Sequence, residues 1–211
     1  MTPLFILKLL SSLKTELKIV LGVLGSLFFL PLIMLVVIAS AGIAEVASAL
    51  VSINPTTHDV EVRDPNGVLV RLLQASTVWP VAGVVTLEFG ASDAPYQVHH
   101  TGIDIANRQQ LIGDPVTTFM QGTVQSVNTD ASKGCGEYVS VDHGDGITSL
   151  YCHLSSTAVQ VGQAVQPGDS LGREGSTGHS TGPHVHFQIM ISGVPVNPRS
   201  FMVGDPDPGL L

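Results

Sequence analysis

Charge is what this chain has least of. Only 12% of its 211 residues are Asp, Glu, Lys or Arg, about half the usual share of roughly 25%. Cations are the scarcer sign. Of nine Lys and Arg residues, three (Lys8, Lys14 and Lys18) lie ahead of residue 19, and from residue 45 onward six basic residues stand against sixteen acidic ones. A nucleic-acid surface needs clustered cations, so this balance argues against that partner, and the acidity reads as a solvated exterior. Aromatic residues make up 5%, with a single tryptophan, and there are two cysteines. Two cysteines without a second CxxC-type pair argue against a metal site built from thiolates alone. There is no internal repeat and no low-complexity tract. The glycine-rich "GREGSTGHSTG" lacks the GK[ST] ending of a phosphate loop, and no helical pattern follows it.

What is present is a long apolar run. From Ile19 to Ala44 the chain carries no charge over 26 residues, and a bilayer span needs roughly 20. Three lysines precede the run, and Glu45 and Asp59 follow it. Positive charge stays on the cytoplasmic side, so the reading is a short cytoplasmic segment over residues 1–18, a transmembrane helix over 19–44, and everything after it outside the membrane. The competing reading is a signal peptide cut at the small-residue stretch Ala47–Ala49, with secretion of the rest. Against it, a signal core is usually only ~7–15 residues long.

Beyond the run the organisation changes twice. Residues 45–77 read as a connector. In it, "VEVRDPNGVLVRLL" sets a Pro-Asn-Gly turn between two alternating segments, the pattern of a hairpin. Residues 78–205 hold short runs rich in Val, Thr and Ile, separated by glycines, with no helical period of useful length; residues 206–211 form a tail. The fold class this predicts is mainly β, an antiparallel sheet or sandwich domain, preceded by the one transmembrane helix. The cysteines fall in "CGEYVSVDHGDGITSLYC", a hairpin pattern. Centring the turn on Gly144–Asp145 sets Tyr138 opposite Tyr151 and Glu137 opposite Cys152. The two cysteines are then diagonal, and a bulge at Gly134 or Gly136 is needed to bring them into bonding range. A disulfide and two free thiols both remain open.

Three segments carry chemistry. In "HVHFQIMI", read as a strand, Val185, Phe187 and Ile189 share one face, and His184, His186 and Gln188 share the other. Two imidazoles then point into one site. "HTGID" gives His100 and Asp104, separated by three residues. "YCHLS" offers His153, expected on the same strand face as Tyr151. Imidazole and carboxylate donors suit tetrahedral zinc, and three protein donors leave a fourth place open, the pattern of a catalytic site. Of the remaining histidines, His99 is expected to point outward, His143 to be solvated in its turn, and His179 to sit on a surface loop, with lining of the groove as its alternative. Should the connector occlude the groove, His58 and Asp59 are its only residues suited to be a fourth zinc ligand.

These segments, in this order, resemble peptidase family M23, the lysostaphin/LytM-type zinc metalloendopeptidases. "VWPVAGVVTLEFG", "GREGSTGHSTGPHVHF" and "VNPRSF" extend the likeness over about residues 78–202. The resemblance implies one Zn2+ per chain held by His100, Asp104 and His186. It implies His153 and His184 as catalytic residues that do not bind the metal, with His184 the expected proton acceptor and His153 the expected oxyanion stabiliser, the two being exchangeable. It implies an enzyme that hydrolyses peptide bonds of bacterial peptidoglycan, in the stem or the cross-bridge, here tethered to the lipid bilayer through residues 19–44. The alternative is a non-catalytic wall-binding or activator module, or a component of an envelope secretion or transfer machine with partner proteins there. "ASDAPYQVH", between Gly90 and His100, departs from the more basic or aromatic run that the resemblance implies, which leaves cleavage preference open.

Overall fold

The structure, a computed structural model, describes residues 46–76, 78–92 and 99–207. The transmembrane helix expected over 19–44, the segment before it and the last residues of the tail lie outside the described residues. Among those described, no helix is long and apolar enough to cross a membrane.

Residues 46–50 are helical and lead into a three-stranded antiparallel sheet, β1 (Val51–Ile53), β2 (Val60–Arg63) and β3 (Leu69–Leu73). The β2–β3 hairpin is the one expected around Pro-Asn-Gly. Asp64 nucleates its turn, accepting from the backbone N–H groups of Asn66 and Val68, both at 2.9 Å. Connector residues also belong to the domain core. Ala47, Leu50, Val60 and Val62 are buried in the same apolar cluster as the strands that follow, and Arg71 donates to the His143 carbonyl at 2.6 Å.

The main sheet is built from β4 (Val84–Leu87), β5 (Ile103–Ala106), β7 (Gly122–Asn128), β8 (Glu137–Asp142), β9 (Ile147–Leu154), β11 (Ala164–Val165), β13 (Val185–Ile191) and β14 (Val194–Val196). Its order is β11-β7-β8-β9-β13-β5-β4, with β14 also paired to β13, and every pairing is antiparallel. A small sheet combines β6 (Pro115–Thr117), β10 (Ser156–Thr157) and β12 (Ser170–Arg173). A 3-10 turn over Pro198–Phe201 ends the domain, with Asn197 as its cap. The mainly antiparallel β class expected from alternation is the class found.

Alternation decides which face of the main sheet is dry. Val185, Phe187, Ile189 and Ile191 of β13 are wholly buried, together with Ile103 and Ile105 of β5 and Ile147 and Tyr151 of β9. Phe187 stacks on Tyr151 at 5.3 Å between centroids and meets Phe119 edge-on at 5.5 Å. Val116 and Leu171 of the small sheet belong to the same cluster. Each such side chain contributes roughly 1.5–3 kcal/mol on burial. That driving force leaves the opposite face of β5, β9 and β13 free to carry polar groups.

The hairpin register differs from the expected one. Val139, not Tyr138, lies opposite Tyr151, and Glu137 lies opposite Leu154, because a bulge falls between Glu137 and Val139. Cys135 and Cys152 are joined as a disulfide, with Cα atoms 5.1 Å apart. Gly134 and Gly136, at φ +59° and +63°, turn the chain on either side of Cys135, a conformation glycine adopts at little cost.

Candidate metal centre and groove

Register, rather than sequence proximity, assembles the site. His186 on β13 sits directly opposite Asp104 on β5 and directly opposite Cys152 on β9. Three neighbouring strands thus present these side chains in one row, on the face away from the core. His100, four residues before Asp104, precedes β5 and is pinned by its backbone: its N–H donates to Ala91 O at 2.9 Å, and its carbonyl accepts from Gly90 at 2.8 Å. Between them, Gly102 has no room for a side chain. A Cβ there would run into the Phe187 carbonyl and press on the His186 ring.

Three donor atoms converge. His100 Nε2 and His186 Nδ1 are 2.8 Å apart, and Asp104 Oδ1 is 3.0 Å from each. The far side of each ring fixes its tautomer. His100 Nδ1 lies 3.3 Å from the Glu88 carbonyl, and His186 Nε2 lies 3.4 Å from Gln188 Oε1, which also accepts from Thr101 Oγ1 at 2.8 Å. Both partners are acceptors, so the outer nitrogens carry the protons and the inner nitrogens carry lone pairs. Two lone pairs and a carboxylate oxygen within 3.0 Å of one another repel unless a cation lies among them. The edges also approach the ~3.3 Å donor spacing of a tetrahedral zinc site with bonds of ~2.0–2.1 Å. His100, Asp104 and His186 therefore fit a zinc ion, and they form the one three-residue group among the described residues able to hold a metal. Where no cation lies among the three atoms, a proton on an inner nitrogen takes its place: burial works to raise the Asp104 carboxyl, but hydrogen bonds from His100 and His186 and the nearby His184 outweigh it and hold the group well below the usual carboxylate range. The Asp104 carboxyl is ionised near pH 7.

Two more histidines flank this triangle. His184 Nδ1 is 2.8 Å from the Gly182 carbonyl, and its Nε2 is 3.7 Å from Asp104 Oδ2. His153 Nδ1 is 2.7 Å from the Thr177 carbonyl, and its ring centre is 4.8 Å from that of His184. In both rings the proton is on Nδ1, and Nε2 is the free end. Burial, and then the neighbouring His184, push His153 down to about 4, so its ring is neutral near pH 7. The groove has a volume of about 260 Å3, and Thr101, Leu150, Cys152, His179 and Thr181 line it alongside the site residues.

Some expectations change here. His153 does not share the face of Tyr151. Tyr151 is wholly buried in the core, whereas His153 lines the groove beside Cys152. The reason is local: His153 has φ +64°, which breaks strand alternation and turns its ring to the other face. His143 is buried, not solvated. Its Nδ1 meets the Gln121 carbonyl at 2.8 Å and its Nε2 meets Ser149 Oγ at 2.7 Å, and burial pushes it down to about 4. His179 lines the groove from an exposed loop, and His99 is exposed. His58 and Asp59 lie before β2 and do not line the groove. Thr101 and Thr177, which sequence reasoning passed over, orient Gln188 and His153. Their only signal was their place inside "HTGID" and "GSTGHSTG".

A groove on the outer face of an antiparallel sheet, with a His–Asp–His triangle and two further imidazoles, has the layout of a mononuclear metal site. The model of Peptidase family M23 matches residues 98–198, and this part of the chain is a Peptidase M23 domain. It is 40% identical over 108 residues to the DD-carboxypeptidase/endopeptidase Mpg of Neisseria meningitidis serogroup B, covering 51% of this chain and 24% of that protein. Among solved structures it is similar to a zinc-containing peptidase from Vibrio cholerae, with a TM-score of 0.52 and 26% identity over 74% of this chain and 46% of that one. It is also similar to the SpoIIQ-SpoIIIAH pore forming complex, with a TM-score of 0.53 and 29% identity over 64% of this chain and 94% of that one. The chain spans only a fifth to a quarter of the length of the curated relatives it matches first, 20% and 24%.

Proposed function

We propose that this protein is a zinc metalloendopeptidase that hydrolyses peptide bonds in bacterial peptidoglycan, tethered to the membrane by residues 19–44 with its groove on the extracytoplasmic side. The observation that carries the reading is the convergence of His100 Nε2, Asp104 Oδ1 and His186 Nδ1 within 3.0 Å of one another, in an open groove. When bound there, Zn2+ supplies Lewis acidity toward water and carbonyl oxygens. The chain's own residues supply the proton chemistry. His184, the imidazole whose Nε2 approaches Asp104, accepts the proton of the attacking water at Nε2, and afterwards it is the group able to donate from that atom. His153 is held neutral with its proton on Nδ1, so its Nε2 accepts hydrogen bonds and orients water or a substrate N–H. The oxyanion-donor role expected of His153 fits it less well than it fits protonated His184. The peptidoglycan substrate is supported by a likeness, 41% identity over 98 residues, to the peptidoglycan DD-endopeptidase ShyA of Vibrio cholerae, and the zinc by the likeness to a zinc-containing peptidase.

The test is release of free amines from purified peptidoglycan by the zinc-loaded full chain. The reading requires release that stops with chelator and falls by ~10²-fold or more in His184→Ala. Bound zinc without release would overturn it. The likeness to the SpoIIQ-SpoIIIAH complex supports a second reading, a component of an envelope assembly whose groove binds rather than cuts. That reading is favoured if the zinc-loaded chain retains peptidoglycan on sedimentation and releases nothing.

A further inference from the structure

The disulfide stands beside the groove, next in sequence to His153, and the peptidase chemistry above does not use it. Cys152 lines the groove wall, and Cys135, at the other end of the bridge, accepts the His153 backbone N–H through its carbonyl at 2.9 Å. The ring of the same histidine is fixed at Nδ1 by the Thr177 carbonyl. The loop containing Cys135 in turn holds the loop containing Thr177. His179 N–H donates to Gly134 O at 2.7 Å, Gly178 N–H donates to Ala131 O at 2.9 Å, and Glu137 N–H donates to Thr177 Oγ1 at 2.9 Å, while that hydroxyl donates to Leu154 O at 2.7 Å. At Gly136 and Gly178 the two loops touch so closely that neither position has room for a side chain. Of the two hydrogen bonds that set His153, the one on its main chain ends on Cys135 itself, and the one on its ring ends in the Thr177 loop, which the Cys135 segment and Leu154 hold together.

His153 needs such support. At φ +64° it is in the left-handed region, which a residue with a Cβ does not keep unless its surroundings over-determine it. In its relaxed, extended form strand alternation returns the ring to the side of Tyr151, away from the groove. We propose that the Cys135–Cys152 disulfide is a positioning element for His153, and that opening it withdraws the imidazole from the groove and switches the peptidase down while leaving the metal triangle intact. The side-chain contacts of His100, Asp104 and His186 include Glu88, Gln188, His184 and one another, which lie outside the Cys135 loop. The inference rests on the peptidase reading for its kinetic consequence but not for its structural one.

The test uses the full chain with zinc bound. Tris(2-carboxyethyl)phosphine opens the bridge, with water supplying the oxygen of the phosphine oxide and the two protons of the thiols; the Cys135→Ser/Cys152→Ser variant removes the bridge outright. The readouts are kcat and KM on peptidoglycan, zinc per chain, and the ring 15N shifts of His153. The proposal requires kcat to fall at least tenfold with KM within twofold, zinc to stay at one per chain, and His153 to lose its single Nδ1–H tautomer. The serine variant must not respond to the phosphine. An unchanged kcat, or an unchanged His153 ring signature in folded, reduced protein, overturns it. If the serine variant does not fold, reduction of the folded wild type decides. If the oxidised wild type cuts nothing, the peptidase reading fails, and the His153 signature still decides this proposal.

Discussion

His143 makes the stability of this domain depend on acid in a way that can be computed. Its ring is buried between the Gln121 carbonyl and Ser149 Oγ, and its pKa lies at about 4 instead of 6.5, chiefly because burial penalises the charged form. A group whose folded pKa is depressed binds fewer protons folded than unfolded across the interval between the two values. Stability is therefore whole above pH 6.5 and falls as pH drops toward 4. The gap of about 2.5 units, at 1.36 kcal/mol per unit, sets the limiting loss at about 3 kcal/mol. That is a large share of the ~5–15 kcal/mol typical of a domain. The assay is urea unfolding of the metal-free full chain at pH 7.5, 6, 5 and 4.5, on wild type and on His143→Gln. His153 titrates in the same window, so the difference between the two proteins, not either curve alone, isolates His143. The variant should be less stable at pH 7.5 and should lose about 2–3 kcal/mol less between pH 7.5 and 4.5. Parallel curves would refute the reasoning.

Three further perturbations test other parts of the account. Gln188→Leu removes the acceptor for His186 Nε2–H and should weaken zinc ~10–100-fold in a competitive chelator titration; unchanged affinity would deny that contact a role in setting the tautomer. Gly102→Ala forces β5 and β13 apart beside His186 and should cost about 1–3 kcal/mol in urea unfolding, with weaker zinc binding; a neutral result would mean the strands yield freely. The disulfide spans a sequence separation of 17, so its reduction should lower unfolding free energy by about 3 kcal/mol on the chain-entropy argument, measured on oxidised and reduced protein in parallel.

Much of the site was legible before the fold was known, because alternation is a local rule. Val185, Phe187 and Ile189 had to share a face, and His186 and Gln188 the other. What could not be read is what depends on register between distant strands. Nothing local to His186 says that Asp104 and Cys152 lie opposite it, and only the bulge between Glu137 and Val139 sets the hairpin so that the disulfide closes. His153 defeats alternation altogether, since its positive φ is imposed by Cys135 and Thr177 from other segments. His143 looked solvated because its turn is polar, yet Gln121, far away in sequence, satisfies its ring and lets it be buried. The connector, read as separate from the domain, contributes Leu50, Val60 and Val62 to the core.

The central claim is that one zinc ion is held by His100, Asp104 and His186, with His153 and His184 standing beside it unligated. Zinc titration of the full chain, in wild type and in five single alanine variants, tests it most directly. The account predicts one tight site in wild type, His153→Ala and His184→Ala, and loss of that site in His100→Ala, Asp104→Ala and His186→Ala. A tight site that survives Asp104→Ala, or one that disappears with His184, would contradict it.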